Sequence, residues 1–556
     1  MKMTDNATSP HLLGLIAGSI RKNWDRPAIG DFRGKEMTYG QLAARIAELH
    51  ILFRVAGLKK GDRIALCAKN SAEWAASFLG ALTYGAVVVP ILHEFHPDTV
   101  EHLVTHSEAR LLISENAIVD NLDEERMPRL DGIVTIPGFK LRLSRSTHLT
   151  QTVERLEEAV KKVYPEGVTP ETVRYEEPDP QATALINYTS GSTGNSKGVM
   201  LSYANLASNV TFGLANIPFL HPGDGMVSML PLAHMYGLVF EFIFPLCRGC
   251  HVTFLGRVPS PKVVLEAFAQ VKPKLVITVP LVIEKIVKGK VFPQLKKQPV
   301  RFLLAVPGLR GIVYSKVRRQ LLEAFGGQLH QLILGGAAMS ADVEEFLRRI
   351  RFPFTVGYGM TECAPLVTYE WWETQRPHSC GRLVDGMEAR VASSDPESVP
   401  GVLSVRGANV MKGYFKNEDA TREALSEDGW LNTGDICTID RDGYVYLRGR
   451  DKNMILGPSG QNIYPEEIEV ILNNLPLVGE SVVVDRDGKI VALVHPDYDE
   501  GRRLGMTDAS IERRVEENLP ALNKDLPGYS RVSRIEIHRD EFEKTPKHTI
   551  RRFIYK

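Results

Sequence analysis

Apolar and polar positions along the chain alternate between two rhythms. Over residues 73–84 apolar side chains return every three or four positions, the period of an amphipathic helix. AVVVPI from Ala86 follows as an unbroken apolar run, the mark of a strand buried on both faces. The pairing recurs further on. Residues 261–271 predict a helix, and KLVITVP from Lys274 predicts a strand. LHQLILGG from Leu329 predicts a strand ending in two glycines, with Ser340 placed to cap the helix ADVEEFLRRI. Strands alternating with helices predict an α/β body with mainly parallel sheets. In such sheets ligands sit beyond the carboxyl ends of the strands. Gly335 and Gly336 fall at such a place, and so does the glycine-rich stretch after Tyr188.

The rhythm changes after Gly449. Charges crowd together, then EEIEVILNNL predicts a helix, ESVVVDRDG and KIVALVHP a hairpin, and RRVEENL a second helix. A small α+β domain is expected over 451–556, behind a large body over 1–450. With 556 residues the chain is too long for one ordinary domain. It holds no internal repeat and no low-complexity segment.

Charge narrows the partners. Lysine plus arginine equals aspartate plus glutamate, 67 each, which gives no reason to expect nucleic acid or an anionic membrane as the main partner. The balance leaves room for a local basic patch. Six cysteines are scattered, and the CRGC unit of Cys247 and Cys250 lacks a second pair, so small apolar packing is expected rather than zinc. Reduced thiols suit the cytoplasm. No apolar run reaches the length of a membrane span: residues 237–247 are too few and include Glu241. A soluble, cytoplasmic protein is expected.

The stretch YTSGSTGNSKGV (188–199) carries candidate chemistry. Tyr188 ends the predicted strand ALINY, and a helix is expected from about Ser202. Glycines let backbone N–H groups approach an anion closely. Hydroxyls of Thr189, Ser190, Ser192 and Thr193 add donors, and Lys197 adds a charge. A polyphosphate is the expected guest. This is not the Walker pattern, which needs lysine directly after glycine and then Ser or Thr.

TSGSTGNSKG resembles the phosphate loop of the AMP-forming acyl-CoA synthetase superfamily. Further matches follow in the superfamily's order: MTYGQL (37–42), PLAHMYG (231–237), GGAAM (335–339), YGMTE (358–362), GWLNTGD (429–435), RGRDKNMI (448–455) and QNIYPEEIE (461–469). The resemblance spans essentially the whole chain. It implies ATP, Mg2+ and coenzyme A as cofactor and co-substrates, and a C-terminal domain that is mobile. It also implies two steps: a carboxylate attacks the α-phosphorus of ATP, giving acyl-adenylate and pyrophosphate, and coenzyme A then displaces AMP.

The resemblance also implies roles. Thr189, Ser190, Gly191, Ser192, Thr193, Gly194 and Lys197 cradle the β,γ-phosphates, with Thr193 and Lys197 catalytic. Gly335, Gly336 and Ala337 line base and acyl group, and Tyr358 with Gly359 faces adenine. Thr361 touches the α-phosphate, and Glu362 holds Mg2+. Asp435 accepts from the ribose hydroxyls, and Arg450 adds a second ribose contact. Lys452 falls on the hinge of the small domain, and His234 on the wall of the acyl pocket.

The pattern breaks at its last motif. KTPKHTIRR (544–552) has Thr549 where the superfamily carries a lysine bridging the carboxylate and the α-phosphate; Lys547 is the expected substitute and Lys544 a poorer one. Ser196 and Val402 are smaller departures. Amino-acid-activating relatives place an aspartate just after the acyl-pocket motif. Here Glu241 is the only acid in an apolar neighbourhood, so a medium- or long-chain fatty acid is the expected substrate, with possible membrane proximity. Alternatives are an aryl-CoA or acyl-carrier-protein ligase, a luciferase-like oxygenase, and an adenylation-impaired acyl- or nucleotide-binding protein.

Overall fold

The computed structural model describes residues 11–176, 178–189, 196–256, 260–306, 308–456, 461–524, 526–544 and 550–555. The centre of the body is an eight-stranded sheet. Its inner strands, Thr183–Thr189, Val87–Ile91, Arg63–Cys67, Leu111–Glu115 and Gly132–Ile136, are parallel neighbours in that order. Every residue of Val87–Ile91 is buried, as a strand covered on both faces requires. The helix Ala72–Tyr84 covers the sheet. The Ser71 side chain accepts from the Trp74 N–H at its start, and Gly85 in the left-handed region (φ 88°) ends it.

Two further sheets complete the body's α/β layers. Gly225–Ser228, His251–Phe254 and Pro27–Asp31 run parallel, with Glu36–Thr38 antiparallel at the edge. Leu275–Thr278, Gln331–Leu334 and Phe354–Val356 form a wholly parallel set. Antiparallel strands follow, among them Glu388–Ala392, Gly401–Arg406, Leu431–Ile439 and Val445–Arg450. The smaller C-terminal domain has its own core around Ile463, Ile468, Leu472, Val515 and Leu522. There Val478–Arg486 and Lys489–Pro496 form the expected hairpin, and Arg534–Ile537 joins it in parallel. Among the described residues no helix is long and apolar enough to cross a membrane.

Two local expectations change. The helix expected from about Ser202 is present as Tyr203–Asn216, but the residues just before it are not loop. The strand Lys197–Ser202 intervenes, antiparallel to Thr183–Thr189, and Ser202 then caps the helix Tyr203–Asn216 in a box with Asn205. Ser340 does occupy the N-cap position of the helix Ala341–Arg349, but its hydroxyl makes no capping bond. It accepts instead from Lys288 Nζ at 3.1 Å.

Candidate active site

Strand pairing delivers the first group of side chains. Asp435 and Arg450 stand directly opposite each other on antiparallel strands. Arg450 Nε lies 2.6 Å from Asp435 Oδ1, and the Tyr358 hydroxyl donates to Asp435 Oδ2 at 2.5 Å. Asp435 is 5% exposed. Burial pushes its carboxyl above the ordinary range, opposed by the Arg450 charge and the Tyr358 hydrogen bond. Burial also holds the Tyr358 phenol well above its usual value, so it stays a donor. A carboxylate so held can accept two vicinal hydroxyls.

The second group sits beside a 3-10 turn, Thr361–Cys363. Glu362 Oε1 accepts from the Tyr414 hydroxyl at 3.0 Å, and the Glu362 carbonyl accepts from Met411 N–H at 2.8 Å. Tyr414 lies on the short strand Gly413–Tyr414, paired with Val199 on the strand that begins at Lys197. Lys197 Nζ stands 4.8 Å from the centroid of the Tyr414 ring, a cation–π contact. Thr189 pairs with Lys197 at the mouth of the hairpin. Ser190, Gly191, Ser192, Thr193 and Gly194 lie outside the described residues, and so do Lys547 and Thr549. Gly359 has a steric cause: a Cβ there would lie 2.3 Å from the Pro365 carbonyl oxygen.

The third group is a wall. Gly335 follows the strand Gln331–Leu334 and donates its N–H to the Thr278 carbonyl at 3.1 Å. A Cβ at Gly335 would meet the Tyr236 ring at 3.1 Å, and Gly336 takes φ 83°. Gly336 and Ala337 are exposed. The Tyr236 hydroxyl donates to the Ile333 carbonyl at 3.2 Å. The motif PLAHMYG therefore touches the glycine pair through Tyr236, a residue the sequence reading did not single out. His234 is half-buried at the start of the turn Met235–Gly237. Two asparagines also missed there hold the loop. Asn70 donates to the Leu230 carbonyl at 2.7 Å and accepts from Leu232 N–H at 3.0 Å, and Asn187 donates to the Ala233 carbonyl at 2.8 Å. Isolated asparagines carry no periodic or motif signal by which to find them.

Glu241 is fully buried. Its Oε2 accepts from Ser228 Oγ at 3.1 Å, Met229 N–H at 3.1 Å and Leu230 N–H at 2.9 Å. Burial pushes it up to about 8, against those bonds. It braces the loop from behind.

Lys452 lies in the turn Asp451–Asn453, two residues after Arg450, and Asn453 Nδ2 donates to Glu466 Oε1 at 2.6 Å. In the last motif Arg552 pairs with Glu469 and, at 3.9 Å, with Glu466. Lys544 is engaged with Glu480 at 2.8 Å.

The profile of a family described as AMP-binding enzyme matches residues 17–415, and that of an AMP-binding enzyme C-terminal domain matches residues 452–555. A long-chain-fatty-acid–CoA ligase of Yersinia pestis is 30% identical over 96% of this chain and 92% of its own length. One from Escherichia coli O157:H7 is 30% identical over 85% of this chain and 82% of its own. This chain belongs to the AMP-forming acyl-CoA synthetases. The fold of the synthetase is shared with solved structures. ATP-bound MatB from Rhodopseudomonas palustris superposes with TM-score 0.77 at 24% identity, covering 98% of each chain. The anthranilate CoA ligase AuaEII superposes with TM-score 0.79 at 21% identity, covering 100% of this chain and 98% of its own. The synthetase is an acid–thiol ligase that uses ATP, Mg2+ and coenzyme A. Its site fits them. Among the described residues no cluster of three His, Cys, Asp or Glu forms a metal cage. Mg2+ in nucleotide sites is commonly held by one or two carboxylates and the substrate's phosphates. Glu362 offers such a carboxylate, with Oε2 unpartnered among the described residues.

Proposed function

We propose that the synthetase activates a medium- or long-chain fatty acid to its acyl-adenylate and then to its coenzyme A thioester. The carrying observation is Glu241. It is the only acid in the stretch HMYGLVFEF, and it is fully buried, with Oε2 accepting from Ser228, Met229 and Leu230 and Oε1 enclosed, so it is not presented to a substrate ammonium. Leu238, Val239, Phe240, Phe242 and Ile243 around it are buried and apolar. The names of the relatives agree with a fatty acid.

In this reading Lys197 and the loop 189–194 hold the β,γ-phosphates, and Thr361 the α-phosphate. Glu362 holds Mg2+, which when bound offsets charge on the phosphate oxygens. Tyr358 and Gly359 face the adenine. Asp435 accepts from the ribose, with Arg450 beside it. His234, Gly335, Gly336 and Ala337 wall the acyl group. The protein supplies positioned donors and cations and needs no covalent nucleophile. The boundary between the units falls at Arg450 and Asp451, and the turn with Lys452 is the hinge that lets the small domain serve each half-reaction. Lys547 takes the place that Thr549 leaves without charge. A fatty acid partitions into bilayers, so the enzyme meets its substrate near membrane, on the cytoplasmic side.

The test is pyrophosphate release with Mg-ATP and coenzyme A over a ladder of saturated acids plus benzoate. A maximum at medium or long chain length supports the reading. A maximum at benzoate, or silence across the ladder with ATP still bound, overturns it.

A further inference from the structure

The hairpin that carries the glycine-rich loop is fastened by a histidine from another part of the sheet. Tyr188 and Gly198 form the last pair before Thr189 and Lys197 close the hairpin. The Tyr188 ring lies against Gly198, where a Cβ would stand 3.1 Å from its Cε1. The Gly198 carbonyl accepts from Phe415 N–H at 2.7 Å, and Phe415 follows Tyr414 directly. Two segments that reach the site, one through Lys197 and one through Tyr414, thus meet at a single rung. Successive side chains of a strand face opposite sides. Asn187 holds the Ala233 carbonyl, and Tyr188 turns the other way, to His106.

His106 ends the helix Pro97–His106. Its Nδ1 lies 2.7 Å from the Tyr188 hydroxyl, and its ring meets the Tyr188 and Phe415 rings edge-on, with centroids 5.7 and 5.8 Å away. Among the described residues His106 is the only hydrogen-bond partner of that hydroxyl, and Tyr188 is 5% exposed. Burial holds the phenol above its usual value, so it keeps its proton. A proton on Nδ1 would leave the phenol's own O–H buried and unpaired, a cost that an accepting nitrogen avoids. Nδ1 is therefore the acceptor, and the neutral imidazole carries its proton on Nε2. The charges that face the ring favour this state. Lys416 Nζ donates to the His106 carbonyl at 3.0 Å, and the His102 ring stands one helical turn back at 5.8 Å. Glu108 opposes them but is shared among Lys416, Arg63 and Arg129. Burial, then Lys416 and His102, hold the imidazole below the ordinary histidine range.

We propose that His106 is a positioning residue for ATP: its neutral Nδ1 holds Tyr188, and through Tyr188 the hairpin that presents the glycine-rich loop and Lys197 to the β,γ-phosphates. The role rests on that loop holding the phosphates, as proposed for it, and is independent of which acid is activated. Protonating Nδ1 removes the acceptor, leaves the Tyr188 hydroxyl without its partner and puts a third cation beside Lys416 and Arg63. The rung at Tyr188, Gly198 and Phe415 then loses its fastening on the histidine side. ATP binding weakens as pH falls below the ordinary histidine range, although no titrating group of the protein other than His106 has changed at that rung.

The test is direct titration of the full-length protein with Mg-ATP, without acid, from about pH 8 down to about pH 5.5. At the upper end H106L and Y188F should each raise the Kd for ATP by about fivefold to tenfold, and H106L/Y188F should be no worse than either alone. H106N sets an amide oxygen where Nδ1 stands and cannot titrate. It should bind as the wild type does at the upper end and bind tighter than the wild type at the lower end. ATP's own phosphate titrates with both proteins, so the ratio of their Kd values isolates His106. Y188F, which loses a single oxygen, carries the test if H106L folds poorly. H106L and Y188F binding ATP as tightly as the wild type would overturn the proposal, and so would H106N following the wild-type pH profile. K197A separates the two readings. If K197A binds ATP as the wild type does, the phosphate assignment falls and the role of His106 with it. If K197A weakens binding while the His106 and Tyr188 variants do not, the role of His106 falls alone.

Discussion

The Tyr414 hydroxyl donates to Glu362 at 3.0 Å while its ring face carries the Lys197 ammonium. One phenol thus links the cation at the foot of the glycine-rich loop to the carboxylate proposed for Mg2+. Burial and the Glu362 charge push the phenol well above its usual value, so it acts only as a donor. Y414F keeps the ring under Lys197 and removes the bond to Glu362. Hydrogen bonds to charged groups contribute about 1.5–3 kcal/mol. Pyrophosphate release should therefore fall about tenfold or more, and half-saturation by Mg2+ should shift to higher concentration. An unchanged Mg2+ dependence would show that Glu362 is positioned without Tyr414.

Gly335 and Tyr236 make a second prediction. A methyl at Gly335 enters the Tyr236 ring at 3.1 Å, and the ring is tethered by its bond to the Ile333 carbonyl. Overpacking of this kind costs about 1–3 kcal/mol. G335A should lower the melting temperature and slow acid activation. G335A/Y236L, with the ring removed, should recover part of both losses, because contacting residues couple. If the double variant is simply the sum of the singles, the two residues do not press on each other.

Much of this is legible in the sequence. The alternating helices and strands could be read because parallel strands buried on both faces leave unbroken apolar runs, as in Val87–Ile91. Tyr358, Asp435 and Arg450 were readable as motif members, and the structure brings all three into contact. The strand Lys197–Ser202 was not readable. Six residues after a glycine-rich loop show too little alternation, and their pairing partner decides their state. Tyr414 and Tyr236 were missed for a tertiary reason. Tyr414 acts across 52 residues on Glu362, and Tyr236 across 97 on Ile333. No local period reports such distances.

Glu241 predicts a pH dependence. Its folded value of about 8 lies above its ordinary 4.5. The folded state therefore binds more protons than the unfolded state between those values, and stability falls as pH rises through that window and levels off above it. E241Q cannot ionise but keeps an oxygen for Met229 and Leu230. Its melting temperature should match the wild type near pH 5 and exceed it near pH 8. Glu469, raised to about 7 by burial and opposed by Arg552, titrates in both proteins, so the difference between them isolates Glu241. A constant offset across that range would show that Glu241 ionises normally.

Lys547 carries the last prediction. Thr549 cannot supply the positive charge that the superfamily places in its final motif, and Arg552 is committed to Glu469 and Lys544 to Glu480. Lys547 is the remaining cation within KTPKHTIRR close to that position, apart from Arg551, which faces Glu543 at 3.8 Å. Losing one positioned contact to a transition state costs about 2.7–4 kcal/mol, or 10²–10³ in rate. K547A should lose that much in pyrophosphate release. It should still convert preformed acyl-adenylate and coenzyme A to thioester, since the second step does not need a cation between carboxylate and phosphate. T549K alone should leave the first step unchanged or faster, and in the K547A background it should restore it. If K547A instead impairs both half-reactions equally, the lysine serves the placement of the small domain rather than the adenylation chemistry.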